Sequence, residues 1–278
     1  MLPYVAAGLV LQTHWWALQA PPVAFWTVSL SLVLGVLAFK SGSATAGAAA
    51  VGAAINASLM FSSVSLPYLP WNTALIPVVA VLLLTSLATR MGRSRKEQLG
   101  TAEARTGRTS SQVAANLGMA AIACNEVAQN WLAGTAWFLR VTPSPATLLA
   151  GGLAALAEAA ADTVSSELGQ VLSDQPRMLT TLRRVEPGTD GAISLGGTLL
   201  GAMAAGIVAA AGAFALHGGM LLLAVSWAGG IFGLFFDSLL GATLERRGWL
   251  NNDAVNFLST VSAAAFALAL LAVLPIRP

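Results

Sequence analysis

Residues 1–39, 41–89, 191–236 and 254–276 contain no Asp, Glu, Lys or Arg. Each run is longer than the ~20 apolar residues that a helix needs to cross a bilayer. Charged residues make up 9% of the chain, against roughly 25% in ordinary soluble domains. So few charges cannot cover a water-facing surface. The runs are continuous and rich in Ala, Leu and Gly, without the polar/apolar alternation of a membrane barrel. These features exclude a soluble enzyme, a disordered chain and a disulfide scaffold. The expected fold is all-α: a polytopic helical membrane protein forming one integral membrane domain over residues 1–278.

Windows of spanning length fall at about 22–39, 43–62, 73–89, 111–132, 145–172, 192–216, 219–243 and 254–275. About eight transmembrane helices are expected, within a range of seven to nine. Residues 4–19 are a ninth, short candidate, weakened by Gln12, His14 and Gln19. The segment 43–62 is mostly Ala, Gly and Ser and suits tight helix packing. An eight-span frame places 12 of the 14 basic residues on one side, with Arg140 and Arg277 on the other. The positive-inside rule makes that side cytoplasmic. The main cytoplasmic loops are then about 90–110, 173–190 and 244–253, while Trp71, Trp131 and Trp137 mark the opposite interface. Met1 is not followed by a basic n-region, so no cleaved signal peptide is expected. The basic residues orient the protein, and no nucleic-acid partner is expected.

Five carboxylates lie in or beside the apolar spans: Glu126, Glu158, Asp162, Glu167 and Asp237. Each costs at least ~2.5 kcal/mol at a helix centre, which makes it a candidate functional group. Glu126 and Glu158 read equally well as hydrogen-bonding or packing residues. Glu158 and Asp162 share one helical face. Asp162 and Glu167 point about 140° apart on a regular helix. Cys124 reads as a small buried hydrophobe, and His14 and His217 are too isolated to form a zinc site.

The stretch from Asp174 to Thr198 holds Arg177, Arg183 and Arg184, then Pro187-Gly188-Thr189-Asp190-Gly191 and Ser194. Pro-Gly marks a turn, after which a Gly-rich helix begins. Backbone N–H groups at such a start, with guanidinium groups nearby, suit a phosphate. The spacing is not that of a P-loop. An ordinary basic loop is the simpler alternative. Asn116, Lys40, Asp237-Ser238 and Asn251-Asn252-Asp253 add polar groups at the same membrane face. Carboxylates with basic groups and glycine-rich helix starts are what metal–nucleotide chemistry requires.

Six blocks, in order, carry a family resemblance. They are Lys40-Ser41-Gly42-Ser43 through Ala48; Arg108 to Gly118 with Gln112-Val113 and Ala115-Asn116; Ala161-Asp162-Thr163 with Ser166-Glu167-Leu168-Gly169; Thr180 to Ser194 with Pro187-Gly188-Thr189-Asp190-Gly191; Asp237 to Thr243; and Asn252 to Phe257. Together they resemble the integral-membrane family labelled domain of unknown function 92. That family includes the transmembrane protein 19-like proteins and the plant phytyl-phosphate kinase. Val164 and Ala192 depart from its usual Trp and Gly, without touching a charged group.

The resemblance implies a membrane kinase that converts an isoprenoid monophosphate, of phytyl or polyprenyl type, to the diphosphate. Its expected cofactor is Mg2+ and its donor an NTP, with CTP among the candidates. On this reading Asp162, Glu167, Asp190 and Asp237 are catalytic, and Asp162, Glu167, Asp190 and Asp253 are candidate metal ligands. Lys40, Arg183, Arg184, Gly188, Thr189, Ser194 and Asn116 would bind phosphate. A lipid-phosphate transporter and a CTP-dependent phospholipid nucleotidyltransferase are the alternatives. A prokaryotic plasma membrane is the expected location.

Overall fold

The computed structural model describes residues 2–104, 106–125 and 145–274. Glu126, Trp131, Trp137, Arg140, Arg105 and Arg277 lie outside the described residues. Ten α-helices account for most of the described chain: α1 (Leu2–Gln19), α2 (Pro21–Lys40), α3 (Ala46–Ser62), α4 (Leu75–Arg90), α5 (Arg93–Leu99), α6 (Ser110–Cys124), α7 (Pro145–Leu172), α8 (Leu195–Ala215), α9 (Gly219–Leu240) and α10 (Asn252–Val273). A two-stranded ribbon joins α7 to α8, pairing β1 (Arg177–Met178) antiparallel to β2 (Ala192–Ile193).

The fold is therefore all-helical, as the apolar runs require. The count of spans comes out lower than eight among the described residues. Five helices are long and apolar enough to cross a membrane: α2, α7, α8, α9 with its extension to Glu245, and α10. Taking α4 and α5 together as one bent span gives six. The Ala/Gly-rich α3, at 17 residues, is shorter than the five spans. It packs with α2 and α6 and buries Ala48, Ala49 and Ala53, as its small residues predict.

Helix α7 is the centre of the molecule. It packs against α4, α6, α8, α9 and α10. Its middle is a run of alanines, with Ala154, Ala155, Ala157, Ala160 and Ala161 fully buried. Small residues on both sides let the backbones close together. A Cβ at Gly201 of α8 would lie 2.7 Å from the Ala161 carbonyl oxygen, and one at Gly230 of α9 would lie 2.9 Å from the Ala157 Cβ. The outer faces are the reverse. Leu195, Leu199, Met203 and Ile207 form an exposed stripe at four-residue spacing along α8, which is what a helix facing lipid displays.

Between α4 and α5 the chain bends by 64°. Gly92 makes the bend in the left-handed region (φ 62°), packed so closely on α7 that a Cβ would overlap the Val171 side chain. The bend lays Lys96 against the end of α4, where its Nζ donates to the carbonyl oxygens of Ala88 (3.0 Å) and Thr89 (2.7 Å). A cation on the last carbonyls of a helix is favoured by the helix dipole.

Candidate active site

At one end of the bundle the C-terminal part of α7 meets the starts of α6, α8 and α10 and the end of α9. Together with the ribbon loop they enclose a polar cavity of about 360 Å³. The three helix starts are well formed. Thr109 and Gln112 make a reciprocal capping box on α6, the Ser194 hydroxyl accepts from Gly197 N (3.1 Å) on α8, and Asn251 Oδ1 accepts from Ala254 N (2.9 Å) on α10. Gln112, Ser194 and Asn252, at the starts of these helices, line the cavity, and three helix N-termini at one cavity favour anions there.

Helices α7 and α9 supply the opposite charge. Asp162 and Asp237 both line the cavity. Glu158 lies one turn deeper on α7, 1% exposed, with neither carboxylate oxygen hydrogen-bonded. The three acids are near enough for their charges to interact. Asp237 Oδ2 is buried without a hydrogen-bond partner. Carboxylates brought this close repel, and a bound cation relieves the repulsion.

The loop between the ribbon strands closes the cavity through backbone fit. Gly191 has φ 74°, and a Cβ there would lie 2.2 Å from the backbone N of Ala242. Only glycine permits that approach. Ala242 belongs to a π-helical turn, Gly241–Glu245, that extends α9 and brings Glu245 to the cavity wall. Thr189 donates to the Glu186 carbonyl oxygen (2.7 Å), holding the turn that carries Gly188 and Asp190.

Of the residues expected from the sequence, the fold brings Asn116, Asp162, Glu167, Gly188, Thr189, Asp190, Ser194 and Asp237 to this one cavity. Lys40, Arg183, Arg184 and Asp253 do not line it. Lys40 ends α2, and Arg183 and Arg184 are exposed in the ribbon loop. Glu167 lines the cavity, but its oxygens are engaged: Oε2 with Lys96 Nζ at 2.6 Å and Oε1 with the Thr89 hydroxyl at 3.1 Å.

Arg108, in the sequence both an orienting charge and the head of the second family block, also lines the cavity. Its backbone is pinned beside the start of α3, where Arg108 N donates to Ser43 O (3.1 Å) and Thr45 N donates to Arg108 O (3.0 Å). Its side chain donates to the Thr163 hydroxyl (3.1 Å), next to Asp162. Glu103 and Glu245 also line the cavity and were not singled out. The signal for Arg108 was its place at the head of the block that runs to Asn116.

Among the described residues, no three His, Cys, Asp or Glu side chains converge as a protein-only metal site. Mg2+ does not need one, because it is held by one or two carboxylates and completed by phosphate oxygens and water. Asp162 and Asp237, whose Oδ2 has no hydrogen-bond partner, fit that requirement.

Residues 29–264 match the family described as Integral membrane protein DUF92. The chain belongs to this family. An uncharacterized membrane protein of Synechocystis is 32% identical over 210 residues, covering 72% of this chain and 74% of that protein. One from Methanocaldococcus jannaschii is 44% identical over 113 residues, 41% of this chain and 47% of that protein. Protein VTE6, chloroplastic, of Arabidopsis thaliana is 29% identical over 185 residues, 66% of this chain and 54% of that protein. The match thus spans about half the length of two of these three relatives. No solved structure matches this member of the family.

Proposed function

We propose that this family member is a membrane phosphotransferase that adds a second phosphate to an isoprenoid monophosphate, using a magnesium–nucleoside triphosphate as donor. The single observation that carries the reading is the cavity itself, where the paired carboxylates Asp162 and Asp237 face three helix N-termini and Arg108. The motif resemblance to the phytyl-phosphate kinase supplies the acceptor class. The archaeal and cyanobacterial relatives support a prokaryotic plasma membrane, and the positive-inside rule supports a cytoplasmic position for the cavity.

The acceptor is already ionised, so the reaction needs alignment and charge neutralisation rather than a strong base. One of its phosphate oxygens bonds to the donor's terminal phosphorus while the bridging P–O bond breaks. The electron pair departs on the nucleoside diphosphate. Asp162 and Asp237 would hold Mg2+, which when bound neutralises the donor phosphate oxygens. Arg108 screens the two reacting anions. The starts of α6, α8 and α10, with Thr189 and Ser194, orient the phosphates.

The test uses purified protein in detergent with Mg2+, each of the four NTPs, and phytyl or geranylgeranyl monophosphate. Mass spectrometry should find the lipid diphosphate together with a nucleoside diphosphate. Asp162→Asn should reduce turnover at least ~100-fold, the scale seen when a preorganised electrostatic group is lost, while the variant still inserts and purifies as a folded protein. Release of pyrophosphate from CTP would instead identify a nucleotidyltransferase. An unchanged lipid with every NTP would overturn the kinase reading and direct attention to transport of the same lipids into NTP-free liposomes.

A further inference from the structure

On the other side of Arg108 lies a second cavity, of about 510 Å³, enclosed by α2, α3, α4 and α6. Its deep walls are apolar, formed by Leu34, Gly52, Val78, Val81, Val113 and Leu117. Its polar residues gather at one end, where Arg90, Arg93 and Arg108 stand with Glu103. Arg93 is paired with Glu97 at 3.0 Å. Arg90 and Arg108 form no ion pair among the described residues. Arg90 donates to the Ser41 carbonyl oxygen (2.6 Å) and approaches the Ser43 hydroxyl (3.5 Å), and Arg108 donates to Thr163. A guanidinium carries five N–H donors, so both keep capacity for an anion.

Arg108, Glu103 and Asn116 line both cavities. The two spaces therefore meet at Arg108, the apolar one on one side and the carboxylates on the other. From Arg90 at the end of α4 to Val78 on its wall is 12 residues, about 18 Å of helix rise. A space this deep, mostly apolar away from its mouth despite Thr85 and Asn116, and with three arginines against one glutamate at that mouth, is complementary to one long hydrocarbon chain ending in an anion.

We infer that this chamber holds the hydrocarbon chain of a single-chain lipid phosphate, with its phosphate on Arg90 and Arg108 against the carboxylate cavity. The inference rests on the proposed function in naming this lipid as acceptor. It deepens that reading by assigning the chain and headgroup to separate residues. Arg108 then contacts the acceptor from one cavity and faces the donor in the other.

The experiment measures binding without nucleotide, so it does not depend on transfer. Native mass spectrometry of the full chain in detergent is run with dimethylallyl, geranyl and geranylgeranyl monophosphates. Geranylgeraniol, inorganic phosphate and a two-chain phosphatidic acid are the comparison ligands. Affinity should rise at least tenfold from the shortest to the longest monophosphate, and each comparison ligand should bind at least tenfold more weakly than geranylgeranyl monophosphate. Gly52→Phe should cost at least tenfold for the long chain by filling the chamber. Gly52→Ala should not, because a Cβ there meets only Val113, at an ordinary 3.8 Å. Arg90→Gln should weaken every monophosphate while leaving the chain-length preference intact.

A flat chain-length series, equal binding of phosphatidic acid, or undiminished binding in a folded Gly52→Phe variant would overturn the inference. The chain-length series uses the unaltered protein, so the inference remains testable if Gly52→Phe fails to fold. Long-chain binding with no transfer from any NTP would leave the chamber standing and remove the kinase reading. Transfer with unaltered binding in Gly52→Phe would do the opposite.

Discussion

Lys96 is fully buried, and its ammonium group lies 2.6 Å from Glu167 while capping the last carbonyls of α4. A buried pair of this kind contributes little compared with a well-packed apolar pair, but removing one partner strands a charge at a cost of about 3–5 kcal/mol. Lys96→Met should therefore lower the thermal midpoint in detergent markedly. The double variant Lys96→Met/Glu167→Gln should recover most of the loss, and a double-variant cycle read by thermal unfolding checks this. Glu167 illustrates how far sequence reaches at this scale. Its position in an apolar span marks it as an expensive residue, yet nothing near it in the chain announces a lysine 71 positions away. Asp162 and Asp237 were equally visible as isolated acids in apolar runs. Arg108 stands out less, because charge in a loop has an orienting explanation, and only its place at the head of a motif block points to a site. Arg183 and Arg184 look better in the sequence than Arg108, but the ribbon holds them outside the cavity.

At the scale of elements, the ribbon loop is fitted to the end of α9 by the absence of a side chain at Gly191. Gly191→Ala places a methyl group on the Ala242 backbone in a left-handed conformation, so the loop must shift. The expected result is a turnover loss of at least ~10-fold with a smaller change in thermal midpoint, since left-handed strain in a loop costs ~1–3 kcal/mol. Steady-state kinetics beside a melting curve separates the two effects. The apolar runs made the long helices legible, and Pro187-Gly188 marked the turn before α8. The bend after α4 was not legible. Its cause is the contact between Gly92 and Val171 of α7, which lies beyond any local pattern. The hydropathy windows over α3 and α4 meet helices of only 17 and 16 residues. Helix α3 is apolar where other helices bury it, whereas α4 keeps Leu83 and Leu87 exposed and reaches spanning length only together with α5.

For the whole molecule, the bundle is held by apolar and small-residue packing around α7. Among the described residues no protein-only metal cluster contributes to it. Chelation should therefore separate function from folding. EDTA should abolish the proposed phosphoryl transfer, added Mg2+ should restore it, and the thermal midpoint without nucleotide should move by less than ~2 °C, because a cation that lacks the phosphate oxygens binds weakly and a ligand near or below its Kd stabilises little. Parallel activity and unfolding measurements on one preparation test this.

Helix α7, packed among most of the other helices and carrying both Glu158 and Asp162, bears on how the protein is made. Two intramembrane acids add about 5–7 kcal/mol to the insertion of an isolated helix, and three of the helices that cover this one, α8, α9 and α10, are synthesised after it. The ribosome thus delivers the core of the molecule when, of the helices that mainly cover it, only α4 and α6 have been made. Stable integration of α7 should therefore lag until α8, α9 and α10 are made, with the C-terminal third serving as an internal chaperone for the helix that carries Asp162.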